Sequence, residues 1–195
     1  SIAVIGQGFV GGSVTTVFNE RGFTVFTHDK TGKQAPGGVH PYAWHGARLP
    51  SQSVRDFVES CETKNDFSKV YFVCLPTPMF EDGSADLSIV EGVLEELASV
   101  PGERIAVVKS TVPPGSVKRW NDAYGPRGLH VVFNPEFLTE ANALDDMRNQ
   151  NRIVLGGPRP WINTVKQMYQ SAFPKVPIIK TSSTTRSEEH TSELQ

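Results

Sequence analysis

Short apolar runs alternate along this chain with longer stretches whose apolar residues recur every three or four positions. The short runs cover residues 2–5, 23–27, 70–75, 105–108, 129–133, 153–155 and 176–179. They are too short for helices and rich in β-branched and aromatic side chains, so each predicts a buried strand. Residues 10–21, 88–99 and 160–173 have helical spacing. In 88–99, Ile89, Val90, Val93, Leu94 and Leu97 fall on one face. Further helices are expected from Ser51, as N-cap, to residue 60, from the Pro113-Pro114-Gly115 opening to residue 124, and over residues 139–147. Residues 32–50, with Pro36-Gly37-Gly38, show no period and read as a loop. Strand and helix alternating in this way predict an α/β fold of the Rossmann type. Its sheet is doubly wound and mainly parallel, with helices on both faces and right-handed crossovers. Such sheets bind ligands outside the carboxyl ends of their strands.

The sharpest chemical signal lies at the first of those ends. Strand 2–5 runs into Gly6-x-Gly8-x-x-Gly11, a helix follows, and the second strand ends at Asp29. Strand, glycine turn, helix, strand and acid form the context that a dinucleotide fingerprint requires. Gly6 allows the tight turn, Gly8 lets backbone approach a pyrophosphate, and Gly11 lets helix and strand pack closely. The helix N-terminus, with Phe9 and Val10, offers unpaired N–H groups and partial positive charge to phosphates. Asp29 would accept hydrogen bonds from the adenosine ribose and repel a 2′-phosphate, which favours NAD over NADP. The other strand ends carry Leu75-Pro76-Thr77-Pro78, Lys109-Ser110-Thr111-Val112-Pro113-Pro114-Gly115 and Asn134-Pro135-Glu136-Phe137-Leu138-Thr139-Glu140. Proline stiffens these loops, so Thr77 and Thr111 present held hydroxyls to one common crevice. A carboxylate beside them could act as a general base.

These blocks, taken in order and with Asp86-Leu87-Ser88 and Arg152-Ile153-Val154-Leu155-Gly156, resemble the N-terminal domain of the UDP-glucose/GDP-mannose dehydrogenases. The resemblance covers about residues 1–185 and implies an enzyme that oxidises a primary alcohol to a carboxylate, with two hydride transfers to NAD. It implies that Thr111 and Glu140 position or activate water and that Glu136 joins the same polar network. Phe137 and Leu138 would lie along the sugar nucleotide, and Thr77, Pro78 and Thr111 would border the nicotinamide. UDP-glucose is the implied substrate, with GDP-mannose or a non-catalytic nucleotide-binding module as alternatives. A single-transfer dehydrogenase of the 3-hydroxyacid kind is a third reading, disfavoured by the blocks at Lys109 and Asn134. The family's nucleophilic cysteine, its catalytic lysine and the central helix that builds its homo-oligomer belong to a later part of the chain, so these 195 residues alone are expected to turn nothing over. The stretch between Asp29 and Val70 is shorter than the family pattern, and Ala141 stands where glycine is usual.

Composition narrows the setting. A formal charge of -2 favours neither nucleic acid nor an anionic membrane as partner, and no apolar run approaches the roughly 20 residues of a membrane span. Cys61 and Cys74 give no disulfide framework and fit a reducing cytoplasm. Both read as inert, with Cys74 in the core. His28, His40, His45 and His130 have no metal spacing and read as surface or loop residues, so no metal is expected. The chain starts at Ser1, already inside the first strand, so at least an initiator residue is taken to be missing. Residues 186–195, Arg-Ser-Glu-Glu-His-Thr-Ser-Glu-Leu-Gln, continue no pattern and resemble the conceptual translation of a sequencing adapter. They are read as a non-native tail on a domain of residues 1–185.

Overall fold

The apolar runs become one sheet. The computed structural model describes residues 1–41, 53–61 and 67–181. The strands are β1 (Ile2–Ile5), β2 (Val25–His28), β3 (Gly38–Val39), β4 (Val70–Val73), β5 (Arg104–Val108), β6 (Leu129–Phe133), β7 (Ile153–Gly156) and β8 (Ile178–Thr181). The helices are α1 (Phe9–Glu20), α2 (Val54–Ser60), α3 (Ser88–Ser99), α4 (Ser116–Tyr124), α5 (Ala143–Arg148) and α6 (Trp161–Ala172). The order across the sheet is β3-β2-β1-β4-β5-β6-β7-β8. β1 pairs in parallel with β2 on one side and β4 on the other, so the chain's direction of travel across the sheet reverses there. Parallel pairing holds from β3 to β6. β7 meets β6 antiparallel, Phe133 opposite Gly156, and carries β8 with it in parallel.

Residues along each strand alternate between two cores. Ala3, Ile5, Tyr71, Val73, Ala106 and Val108 face α2, α3 and α4, where Phe57, Leu94 and Trp120 are buried. Ile2, Val4, Val70, Phe72, Ile105 and Val107 face α1 and α6, where Phe18, Met168 and Tyr169 are buried. This is the period of two read against helices on both faces. Phe18 is the hub of the second core. Its ring centroid lies 5.2 Å from Phe23, 5.5 Å from Phe72, 5.6 Å from Tyr169 and 5.9 Å from Phe173.

Several boundaries differ from expectation, each for a local reason. α2 is capped by Ser53, whose Oγ accepts from the Asp56 amide at 3.1 Å; the expected cap, Ser51, lies outside the described residues. α4 starts only at Ser116, because Gly115 sits in the left-handed region at φ 86° and turns the prolines away from the helix axis. α5 starts only at Ala143, because Thr139 donates its amide and hydroxyl to Asp146 and closes a turn ahead of the helix. The Gly/Pro-rich stretch contains β3, two residues that add to the β2 edge. Gln34 Nε2, donating to Thr27 Oγ1, and the Pro36 carbonyl, accepting from Thr16, hold it there. The tail beyond residue 185 and His45 also lie outside the described residues.

Candidate cofactor and substrate site

The glycine turn is fixed by close packing on two sides and left open on the third. Gly6 has φ 95°, and a Cβ there would lie 2.2 Å from the Cys74 carbonyl oxygen. A Cβ on Gly11 would lie 1.8 Å from the Gly6 carbonyl oxygen. Gly8, the residue before α1, has nothing within 4 Å of such a Cβ, and no side chain caps the helix. The first N–H groups of α1 therefore have no protein side chain to satisfy them.

Between its glycines the turn is stapled by Gln7, which the motif leaves as a free position. Its buried side chain donates to the Gly6 carbonyl and to Thr15 Oγ1, both at 3.0 Å, and accepts from the Ala35 amide at 3.0 Å. The Gln7 amide donates to Asp29 Oδ1 at 2.9 Å, while Asp29 Oδ2 accepts the amide and hydroxyl of Thr31. Burial raises the Asp29 pKa, but the Thr31 and Gln7 hydrogen bonds outweigh it and leave the carboxyl below its ordinary value. Asp29 is thus an oriented anion at the end of β2.

A cleft of about 760 Å³ runs along the carboxyl ends of β1, β2, β4 and β5, at the point where the strand order reverses. Gly6, Gly8, Phe9, Val10 and Asp29 line one half of it. Thr77, Thr111 and Glu136 line the other. Gly11 lies beneath the turn, and Pro78 lies outside the cleft wall; neither lines it. Phe137 and Leu138 line a second cavity of about 290 Å³, which shares Glu136 and Lys109 with the first. There the Arg152 guanidinium lies 4.5 Å from the Phe137 ring centroid. Glu140, exposed on the turn before α5, lines neither cavity, so the structure does not bring it to the other candidates.

The two loops across the cleft are tied together. Thr77 Oγ1 donates to the Thr111 carbonyl at 3.1 Å, and Ser110 Oγ donates to the Leu75 carbonyl at 2.6 Å. Below them is a buried polar cluster. Lys109 Nζ donates to Asn134 Oδ1 at 3.0 Å, the Tyr169 hydroxyl donates to the same oxygen, and Asn134 Nδ2 donates to the Val154 carbonyl at 3.0 Å. Burial pulls the Lys109 ammonium down to about 8, against the opposing pull of Cys74 and Glu136.

Two expectations about single residues change. Cys74 lies just past β4 rather than on it, half-buried, packed against the α1/α6 core and reaching the cleft wall. It is inert all the same, because burial, against Lys109 and with Glu136, pushes its thiol up to about 12. His28 ends β2, packs 5.4 Å from Phe57 and lines the cleft, so it is no free surface residue. Cys61 is buried under α2, and its thiol is raised by that burial. His130 stacks on Trp161 at 4.0 Å and pairs with Glu103, which is structural work. Among the described residues no group of three His, Cys, Asp or Glu could hold a metal ion, and no helix is long and apolar enough to cross a membrane.

This geometry coincides with a match in sequence. The model of the UDP-glucose/GDP-mannose dehydrogenase family, NAD binding domain, matches residues 43–173. The chain belongs to this family. As a UDP-glucose/GDP-mannose dehydrogenase NAD-binding domain it takes NAD, and the open side of Gly8, the uncapped α1 terminus and the oriented Asp29 fit that cofactor. UDP-glucose 6-dehydrogenase of Bacillus subtilis is 31% identical over 194 residues, covering 92% of this chain and 42% of that protein. A UDP-glucose dehydrogenase structure from the hyperthermophilic archaeon Pyrobaculum islandicum has 26% identity and a TM-score of 0.71, covering 99% of this chain and 48% of that one. GDP-mannose dehydrogenase from Pseudomonas aeruginosa, solved as a ternary complex, has a TM-score of 0.73 over 99% of this chain and 49% of that one. At 23% identity it shares the fold. The chain spans less than half the length of the curated relatives it matches.

Proposed function

We propose that this chain is the cofactor half of a UDP-glucose 6-dehydrogenase, whose full protein oxidises UDP-glucose to UDP-glucuronate. One observation carries the reading: an oriented anion, an open glycine turn, the linked loops of Thr77 and Thr111, and the Glu136 carboxylate line one cleft at the strand reversal. The 31% identity to a UDP-glucose 6-dehydrogenase supports the choice of substrate.

In this reading Asp29 takes the adenosine ribose and the α1 terminus takes the pyrophosphate. That leaves the nicotinamide half to the Thr77, Thr111 and Glu136 end. NAD supplies the hydride acceptor. Thr111 and Glu136 orient water there, and Phe137 and Leu138 lie along the sugar nucleotide in the adjoining cavity. Glu140 is assigned to the same water handling by resemblance alone, since it stands exposed on the turn before α5 and lines neither cavity. Neither Cys74 nor Cys61 serves as the nucleophile that captures the aldehyde, because burial holds both as thiols. The 195-residue chain, which matches 42% of its Bacillus subtilis relative, is expected to bind NAD and produce no NADH.

The test is a full-length protein carrying this domain, given NAD with UDP-glucose or GDP-mannose. Two NADH formed per UDP-glucose, and none with GDP-mannose, support the reading. NADH with GDP-mannose alone moves the assignment to that sugar, and NADH with neither leaves a binding module.

A further inference from the structure

Lys109 is an ammonium almost wholly removed from water, 4% exposed, at the partition between the two cavities. A structural role explains it poorly. The oxygen it bonds, Asn134 Oδ1, already accepts from the Tyr169 hydroxyl, and Asn134 Nδ2 is satisfied by the Val154 carbonyl. A buried charge that is dispensable to its own partner costs stability without return. Its position relative to the cofactor cleft is the more telling fact. Across the strand order β2-β1-β4-β5-β6, Asp29 follows β2, the glycine turn and α1 terminus follow β1, and Lys109 and Glu136 line the cleft past β5 and β6.

We propose that Lys109 and Glu136 are positioning charges that set the relative affinity of the cleft for the reduced and oxidised dinucleotide. The proposal rests on the cofactor orientation given above. Oxidised nicotinamide carries a positive ring and reduced nicotinamide a neutral one. The two forms are otherwise alike along the adenosine half. A cation at the ring end therefore favours the reduced form, and an anion there favours the oxidised form, through low-dielectric Coulomb interaction. The other groups facing the ammonium are Cys74 past β4, Asn134 at the end of β6 and Tyr169 on α6. Cys74, up at about 12, and Tyr169, raised well above its ordinary value by burial, stay neutral below pH 9. Lys109, at about 8, does not keep its charge across that range.

The experiment measures NADH and NAD affinity for the 195-residue chain, as a ratio, at pH 6.5 and pH 9, in the unaltered protein, Lys109→Met and Glu136→Gln. The ratio cancels effects confined to the adenosine end, where the two forms are alike. At pH 6.5, Lys109→Met is expected to shift the ratio toward NAD by on the order of tenfold, and Glu136→Gln to shift it toward NADH. In the unaltered chain the ratio moves toward NAD as pH rises, and in Lys109→Met it is flat. If either substitution weakens both nucleotides alike, or moves the ratio in the other direction, the proposal is overturned. The opposite signs keep it testable even if one variant folds poorly. An unaltered chain that binds neither nucleotide overturns the cofactor reading itself, and this inference with it.

Discussion

Three glycines in one turn have three different jobs, and a single methyl group separates them. Gly11→Ala places a Cβ against the Gly6 backbone, which cannot yield without opening the β1–α1 packing. It is expected to destabilise the chain by roughly 2 kcal/mol or more, as overpacking against backbone does. Gly8→Val puts its side chain into open cleft instead. It should leave the thermal midpoint within a few degrees and weaken NADH binding at least tenfold, read by fluorescence titration. Equal thermal effects from the two changes would contradict this division. Lys109 makes a residue-scale prediction of its own. Its folded-state pKa is depressed to about 8 from 10.5, so between those values the unfolded chain holds more protons. Stability should therefore rise with pH across that window. Urea midpoints at pH 8 and pH 10 should show that rise in the unaltered chain, and Lys109→Met should lack it.

At the scale of elements, the longer periodic segments were legible and their ends were not. The strand at Leu129–Phe133 and the helix at Ser88–Ser99 fall where the apolar pattern places them. Starts fixed by one backbone angle or one side-chain bond escape a pattern of apolar positions, as Gly115 at α4 and Asp146 before α5 demonstrate. β3 escapes for a different reason. Two residues have no period, and the bonds that recruit them come from Thr16, Thr27 and Gln34, none of which announces a strand. The same limit applies to the site. The glycine turn and Asp29 carry a spacing that can be read, whereas Gln7, Thr31 and Asn134 matter through contacts made only after folding. Phe18 tests the element-scale packing. It joins α1, β4 and α6 through four aromatic neighbours, so Phe18→Ala should cost about 3–5 kcal/mol in chemical unfolding. A loss below about 1 kcal/mol would mean that the α1/α6 face of the sheet is not packed as described.

For the whole molecule, the decisive relation is between sheet topology and the line of the cleft. Reversal between β1 and β4 places the glycine turn centrally, with Asp29 on one side and the β4, β5 and β6 ends on the other. In the proposed reading, a dinucleotide crossing that line sets its adenosine ribose hydroxyls on Asp29 and its redox ring beside Thr77, Thr111, Lys109 and Glu136. Neither Cys61 nor Cys74 offers a ready thiolate, since burial raises both thiols. The most direct test of this account is an experimental structure of the chain with bound NADH. The account places the adenosine ribose hydroxyls on Asp29, the pyrophosphate over Gly8, Phe9 and Val10, and the nicotinamide between Thr77 and Lys109. Nucleotide bound in the reverse direction, or outside this cleft, would contradict it.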